Sequence, residues 1–158
     1  MTQDFSTAFP LDELDDLYRE VILDHYRSPR NRTPLPRPDI ASEGQNPYCG
    51  DEVSVQMALE GERIAQVGIV GRGCSISQAS ASMMGELLKG KTLADALRLS
   101  RRVRDMLHGK ALSPQELEEL GDLEALRGVS KFPVRIKCAL LAWTTLEEGI
   151  ADWQKRRG

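Results

Sequence analysis

A hairpin flanked by cysteines limits what this chain can fold into more than any other feature. Val53, Val55, Met57 and Leu59 fall at every second position, the period of a half-buried strand. Glu60-Gly61-Glu62 reads as a turn. Ile64, Val67, Ile69 and Val70 then form a second strand, less regular in its alternation. Strands joined across so short a turn must run antiparallel, so the start of the first lies beside the end of the second. Asn46-Pro47-Tyr48-Cys49-Gly50-Asp51 leads into the first strand, and Gly71-Arg72-Gly73-Cys74 closes the second. Topology alone thus brings Cys49, Asp51 and Cys74 to one end of a small sheet, which is expected to continue briefly near Gly73–Ile76.

The rest of the chain reads as helical or extended. Residues 1–10 form a loose tail. Leu14, Leu17, Tyr18, Val21, Ile22 and His25 recur at helical spacing, predicting a helix from about Leu11 to Tyr26. Ser28-Pro29 ends it, because the residue before proline is pushed out of the helical region. Five prolines between residues 28 and 47 mark an extended connection. A helix is expected over about Ser77–Lys89 and another from Thr92 to about Leu107, with Thr92 and Asp95 as a capping-box variant. Ser113-Pro114-Gln115-Glu116 starts a short helix of about two turns. The last helix should run from near Pro133 to about Gln154, with Val134, Cys138, Leu141, Leu146, Gly149, Ile150 and Trp153 along one stripe. The fold class is α+β: a small antiparallel sheet of about three strands packed with helices, in one domain over residues 11–158.

Composition narrows the function classes. The formal net charge of −3 offers no global positive field for nucleic acid. No apolar run approaches the roughly 20 residues needed to span a bilayer. The first residues, Met1-Thr2-Gln3-Asp4-Phe5, lack a basic and then apolar leader, so the expected compartment is the cytoplasm. The three cysteines, Cys49, Cys74 and Cys138, are an odd number, which argues against a disulfide framework. Each is a filler, a metal ligand or a reactive thiol.

Cys49 lies in a Pro/Gly loop, where a filler is not needed, so chemistry is favoured there. Gly50, Gly71 and Gly73 permit close backbone approach, and Gly50 lets Cys49 and Asp51 turn to a common centre. Three thiolates and one carboxylate would complete the tetrahedron that Zn²⁺ prefers. The surplus negative charge of such a centre calls for donors; Arg135 and Lys137 are candidates. Read alone, Cys138 is more often a small core hydrophobe than a ligand, and Asp51 more often a solvated turn residue.

Three motifs and a helix end carry a resemblance. They are Asn46-Pro47-Tyr48-Cys49-Gly50-Asp51; Gly73-Cys74-Ser75-Ile76-Ser77 with Ala79-Ser80-Ala81-Ser82-Met83-Met84; Val134-Arg135-Ile136-Lys137-Cys138-Ala139; and Asp24-His25-Tyr26-Arg27-Ser28-Pro29-Arg30-Asn31. Over about Leu11–Trp153 the chain resembles the SufU family, the zinc-bearing branch of the IscU/NifU-N-like iron–sulfur assembly proteins. Lys137 stands where the IscU-type scaffolds carry histidine, and residues near 108–128 look like the helical insertion of the SufU branch. The resemblance implies a SufE/IscU-like fold, Zn²⁺ held by Cys49, Asp51, Cys74 and Cys138, and Cys49 as sulfur acceptor. It implies a SufS-type cysteine desulfurase as partner and SUF scaffold proteins downstream, with no nucleic acid or membrane. The competing readings are a scaffold that builds a cluster on the same thiols and a structural zinc domain.

Other residues receive plainer readings. Arg135 is a surface arginine or a neighbour of the anionic centre, and Tyr48 shields the site or meets the partner. His25 reads as a packed histidine, and His108 as a helix-end residue. Arg98, Arg101, Arg102 and Arg104 read as a solvated basic face, with a docking patch as the sharper alternative. Met83 and Met84 read as core.

Overall fold

The computed structural model describes residues 16–47 and 50–157 of the chain. The expected tail, the first residues of the expected first helix, Tyr48 and Cys49 lie outside them. The described elements are α1 (Asp16–Arg27), β1 (Ile40–Asn46), β2 (Asp51–Glu60), β3 (Arg63–Arg72), α2 (Ser75–Leu88), α3 (Leu93–Leu107), α4 (Pro114–Leu120), a 3-10 segment (Gly121–Lys131) and α5 (Pro133–Arg157).

The hairpin forms as its alternation requires. Glu52 pairs with Arg72 and Glu60 with Arg63, with an irregularity at Ala58/Leu59. Val53, Val55 and Met57 are buried on the face covered by helices, while Ser54 and Gln56 sit on the other. α5 packs on β1 and β2, α2 packs on β3 and α5, and α1 packs on α2. One core results, in which Ile22, Ile40, Met57, Ile64, Met84, Leu99, Trp143 and Leu146 are fully enclosed or nearly so. Met83 and Met84 belong to it, as expected. The sheet has three strands in the order β1-β2-β3 and is antiparallel throughout.

The third strand is not where the sequence reading placed it. It is β1, inside the stretch read as an extended connection, and it pairs Ile40 with Met57 and Asn46 with Asp51. β1 lacks an apolar pattern because it lies directly on α5. A Cβ at Gly44 would overlap the Thr145 hydroxyl, and one at Gly149 would press on Ile40 and Ser42. Close approach of strand and helix requires small residues here, which erases the hydrophobic signal. The expected strand at Gly73–Ile76 does not form. The chain turns at Gly73, Cys74 takes the N-cap position, and α2 begins at Ser75, two residues earlier than expected.

Other boundaries follow local chemistry. α1 stops before Ser28-Pro29. Thr92 Oγ1 accepts from Asp95 N at 3.1 Å. Ser113 and Glu116 form a reciprocal capping box with Pro114 in the first turn of α4. The 3-10 segment buries Leu123, Ala125, Leu126 and Val129 against the helices. On α5, Cys138, Leu146, Gly149 and Ile150 are buried as the stripe predicts. Val134 departs from it: it sits in the first turn, past the end of the facing layer, and is 62% exposed. No helix among the described residues is long and apolar enough to cross a membrane.

The basic face of α3 is not simply solvated. Arg98 pairs with Glu119 at 2.7 Å, Arg102 with Glu119 and with Glu116 at 3.4 Å, and Arg104 with Glu147 at 2.6 Å. The acids come from α4 and α5, so tertiary packing supplies counter-charges that the local sequence hides. Arg101 stays exposed. His25 is packed, as read: it is 2% exposed, with Nδ1 2.8 Å from Ser82 Oγ and Nε2 2.8 Å from Asp122 Oδ2. His108 caps α3, its Nδ1 2.8 Å from the Arg104 carbonyl oxygen.

Candidate metal centre

Two of the three residues that topology was expected to gather are described, and they meet. Asp51 opens β2 and Cys74 follows β3, so antiparallel pairing sets them side by side. Cys74 N donates to Asp51 Oδ1 at 3.0 Å, and Asp51 Oδ2 lies 4.0 Å from Cys74 Sγ. Gly73 makes this possible. Its φ is +156°, and a Cβ there would overlap the Asp51 carboxylate. Only glycine leaves room for the acid beside the turn.

Cys138 joins from α5. Its position on the apolar stripe is real, since it is fully buried within the core. One ligand atom each of Asp51, Cys74 and Cys138 lies within 4.8 Å of the others. Donors in a zinc tetrahedron, at about 2.0–2.3 Å from the ion, lie roughly 3.3–3.8 Å apart, so a small inward shift of these side chains would let them share one ion. The chemistry of the set agrees. A carboxylate and two thiols share a buried space, and burying such anionic donors together is costly unless a cation is shared. Cys49 lies outside the described residues. By connectivity it belongs to the turn between paired Asn46 and Asp51, whose described members Pro47 and Gly50 are exposed.

The surroundings favour thiolates. The Cys74 thiol is lowered from 9.0 to about 6. Hydrogen bonding with Cys138 is the main cause, opposed by burial; Ser77 adds to the lowering and the Asp51 charge works against it. Ser77 Oγ is 3.9 Å from Cys74 Sγ. Around Cys138 Sγ stand Arg135 Nη1 at 3.8 Å and Asn46 Nδ2 at 3.7 Å. Arg135 thus lies beside the Cys138 sulfur, whereas Lys137 is exposed. Asn46 was missed. The parity of β1 would have found it: Ile40, Ser42 and Gly44 face α5, and Asn46 is next in that row.

The model of the NifU-like N terminal domain matches residues 17–139. The chain belongs to that family. Within it, the chain is 49% identical over 138 residues to the zinc-dependent sulfurtransferase SufU of Bacillus subtilis, covering 87% of this chain and 92% of that protein. It is 39% identical over 140 residues to the iron–sulfur cluster assembly scaffold protein IscU of Streptococcus pyogenes, covering 89% and 86%. The crystal structure of the SufU protein of Fervidobacterium islandicum superposes with a TM-score of 0.77 at 34% identity, over 83% of this chain and 94% of that one. The motif resemblance to the SufU family and the α+β class are thus borne out within the NifU-like N-terminal domains.

Proposed function

We propose that the chain is a zinc-dependent sulfur carrier in iron–sulfur cluster assembly, accepting persulfide sulfur on Cys49 from a SufS-type cysteine desulfurase. The observation that carries this reading is the buried convergence of Asp51, Cys74 and Cys138, with a third cysteine two positions before Asp51 in the sequence. The 49% identity to a protein named a zinc-dependent sulfurtransferase supports the same chemistry.

Asp51, Cys74, Cys138 and Cys49 would hold the metal. When bound, zinc would keep its thiolate ligands deprotonated at neutral pH. The chain's own residues do the rest. Asp51 is fixed by the Cys74 amide, Cys74 by Ser77, and Cys138 by Arg135 and Asn46. Cys49, two residues before Asp51 in the sequence, is the thiol offered to the partner. Its thiolate attacks the terminal sulfur of the desulfurase persulfide. One S–S bond forms to Cys49 as the partner's S–S bond breaks, and the partner's cysteine leaves as thiolate. Nothing is oxidised or reduced overall. The Cys49 persulfide then passes its sulfur to a downstream SUF scaffold by the same exchange.

A second reading has its own support: the chain is 39% identical to a protein named a cluster assembly scaffold, and the same thiols could hold a cluster. Metal analysis of protein purified in air separates the two. One zinc per chain without visible absorbance supports the carrier; a stable brown chromophore supports the scaffold. The carrier should also raise the turnover of a SufS-type desulfurase on cysteine, and Cys49→Ala should abolish that effect. Persulfide accumulating on Cys74 rather than Cys49 would refute the assignment.

A further inference from the structure

The end of β1 does more than close the sheet. Gly44 and Gly149 let β1 lie directly on α5, which carries the row Ile40, Ser42, Gly44 and Asn46 along that helix. Asn46, 6% exposed, therefore meets Cys138, and its Nδ2 stands 3.7 Å from the sulfur. The same residue pairs across the sheet with Asp51, and its carbonyl accepts from Gly50 N at 2.9 Å. One residue thus touches three parts of the centre: the carboxylate strand, the turn that contains Cys49 in sequence, and the sulfur on α5. Burying a primary amide is costly unless it is hydrogen-bonded, so this placement calls for a role.

Resting on the metal reading above, we propose that Asn46 is a positioning residue of the centre. Its side-chain amide caps the Cys138 sulfur and its backbone carbonyl holds the Gly50 amide beside Asp51, so that Cys138 is the sulfur that stays on the metal. An N–H donor aimed at a thiolate draws off electron density that a nucleophile would use, and hydrogen bonds to ionised groups are the strong ones. Cys138 has such donors from Asn46 and, at 3.8 Å, from Arg135. Cys74 has the Cys138 thiol, the Ser77 hydroxyl and the Asp51 carboxylate beside its sulfur, and no nitrogen donor there among the described residues.

The test begins with the native chain, its metal replaced by an NMR-active cadmium isotope. A scalar coupling between cadmium and a side-chain amide proton of Asn46, transmitted through the Cys138 sulfur, is the expected result. An intact cadmium resonance reporting three thiolates and one carboxylate, with no such coupling, would overturn the proposal. A cadmium resonance that reports oxygen and nitrogen ligands alone would overturn the metal reading and this inference with it. Asn46→Leu, of similar size but without the donor, supplies the second arm. In chelator competition its zinc affinity should fall roughly tenfold, as loss of a charge-assisted hydrogen bond implies. After reaction with desulfurase and cysteine, peptide mapping should find part of its persulfide on Cys138, where the native chain has it on Cys49. Unchanged zinc affinity together with persulfide on Cys49 alone would overturn the assignment.

Discussion

Replacing Gly73 by alanine tests the geometry of the centre without touching a ligand. At φ +156° an alanine is held where L-residues rarely go, and its Cβ would overlap the Asp51 carboxylate and crowd Ser77 Oγ. Holding a side chain in such a conformation costs roughly 1–3 kcal/mol. If the turn opens instead, the 3.0 Å bond from Cys74 N to Asp51 Oδ1 is lost, at roughly 1.5–3 kcal/mol for a hydrogen bond to a charged group. The two are alternative ways to relieve one clash, so the expected loss of stability is that of the cheaper one, about 2–3 kcal/mol. Gly50→Ala is the control. Its φ is +70°, but a Cβ there meets nothing within 4 Å among the described residues, so only the conformational cost of about 1–2 kcal/mol applies. Urea denaturation of both variants in metal-free form gives the comparison, and chelator competition gives zinc affinity, which should fall for Gly73→Ala because Asp51 is displaced. Gly73→Ala losing no more stability than Gly50→Ala, with zinc held as tightly as before, would refute the reasoning.

Three further outcomes follow from the packing and the electrostatics. Because the Cys74 thiol is lowered from 9.0 to about 6, its ionisation stabilises the fold increasingly as pH rises from about 6 and fully only above 9; that contribution is lost as pH falls through 6. Urea midpoints of the metal-free protein should therefore rise over this window, and Cys74→Ser should flatten the rise. His25→Leu should lower stability by about 1–2 kcal/mol, because buried Ser82 Oγ loses its 2.8 Å partner and keeps only the Arg30 amide at 2.9 Å, whereas Asp122→Asn should cost under about 1 kcal/mol since Asp122 is 63% exposed; thermal melts check the pair. Gly44→Val should cost about 1–3 kcal/mol by wedging β1 off α5, and should weaken zinc binding by drawing Asn46 from Cys138; Ala41→Val on the exposed face of the same strand should do neither.

Legibility in this chain tracks how locally each feature is encoded. The hairpin was readable because period-2 alternation and a short turn determine pairing without reference to the rest of the molecule, and pairing alone put Asp51 beside Cys74. β1 was unreadable for the opposite reason. Its neighbours are α5 side chains about a hundred positions away, and they leave room only for Ser42 and Gly44, so the residues that make it a strand are the ones that remove its hydrophobic signature. The ion pairs of Arg98, Arg102 and Arg104 were hidden likewise, their acids lying on α4 and α5. Cys138 sits between these cases. Helical periodicity placed it correctly on a buried face, yet the same periodicity argued for filler, and only the resemblance argued for a ligand. Burial does not separate the two roles. What separates them is the company of the sulfur: a core cysteine has apolar neighbours, whereas Cys138 has a carboxylate and a second thiol within 4.8 Å and two nitrogen donors just under 4 Å. A cysteine on a helix's apolar stripe should therefore be weighed by what the facing strand end brings to it, here Asn46 and Asp51, before it is assigned to the core.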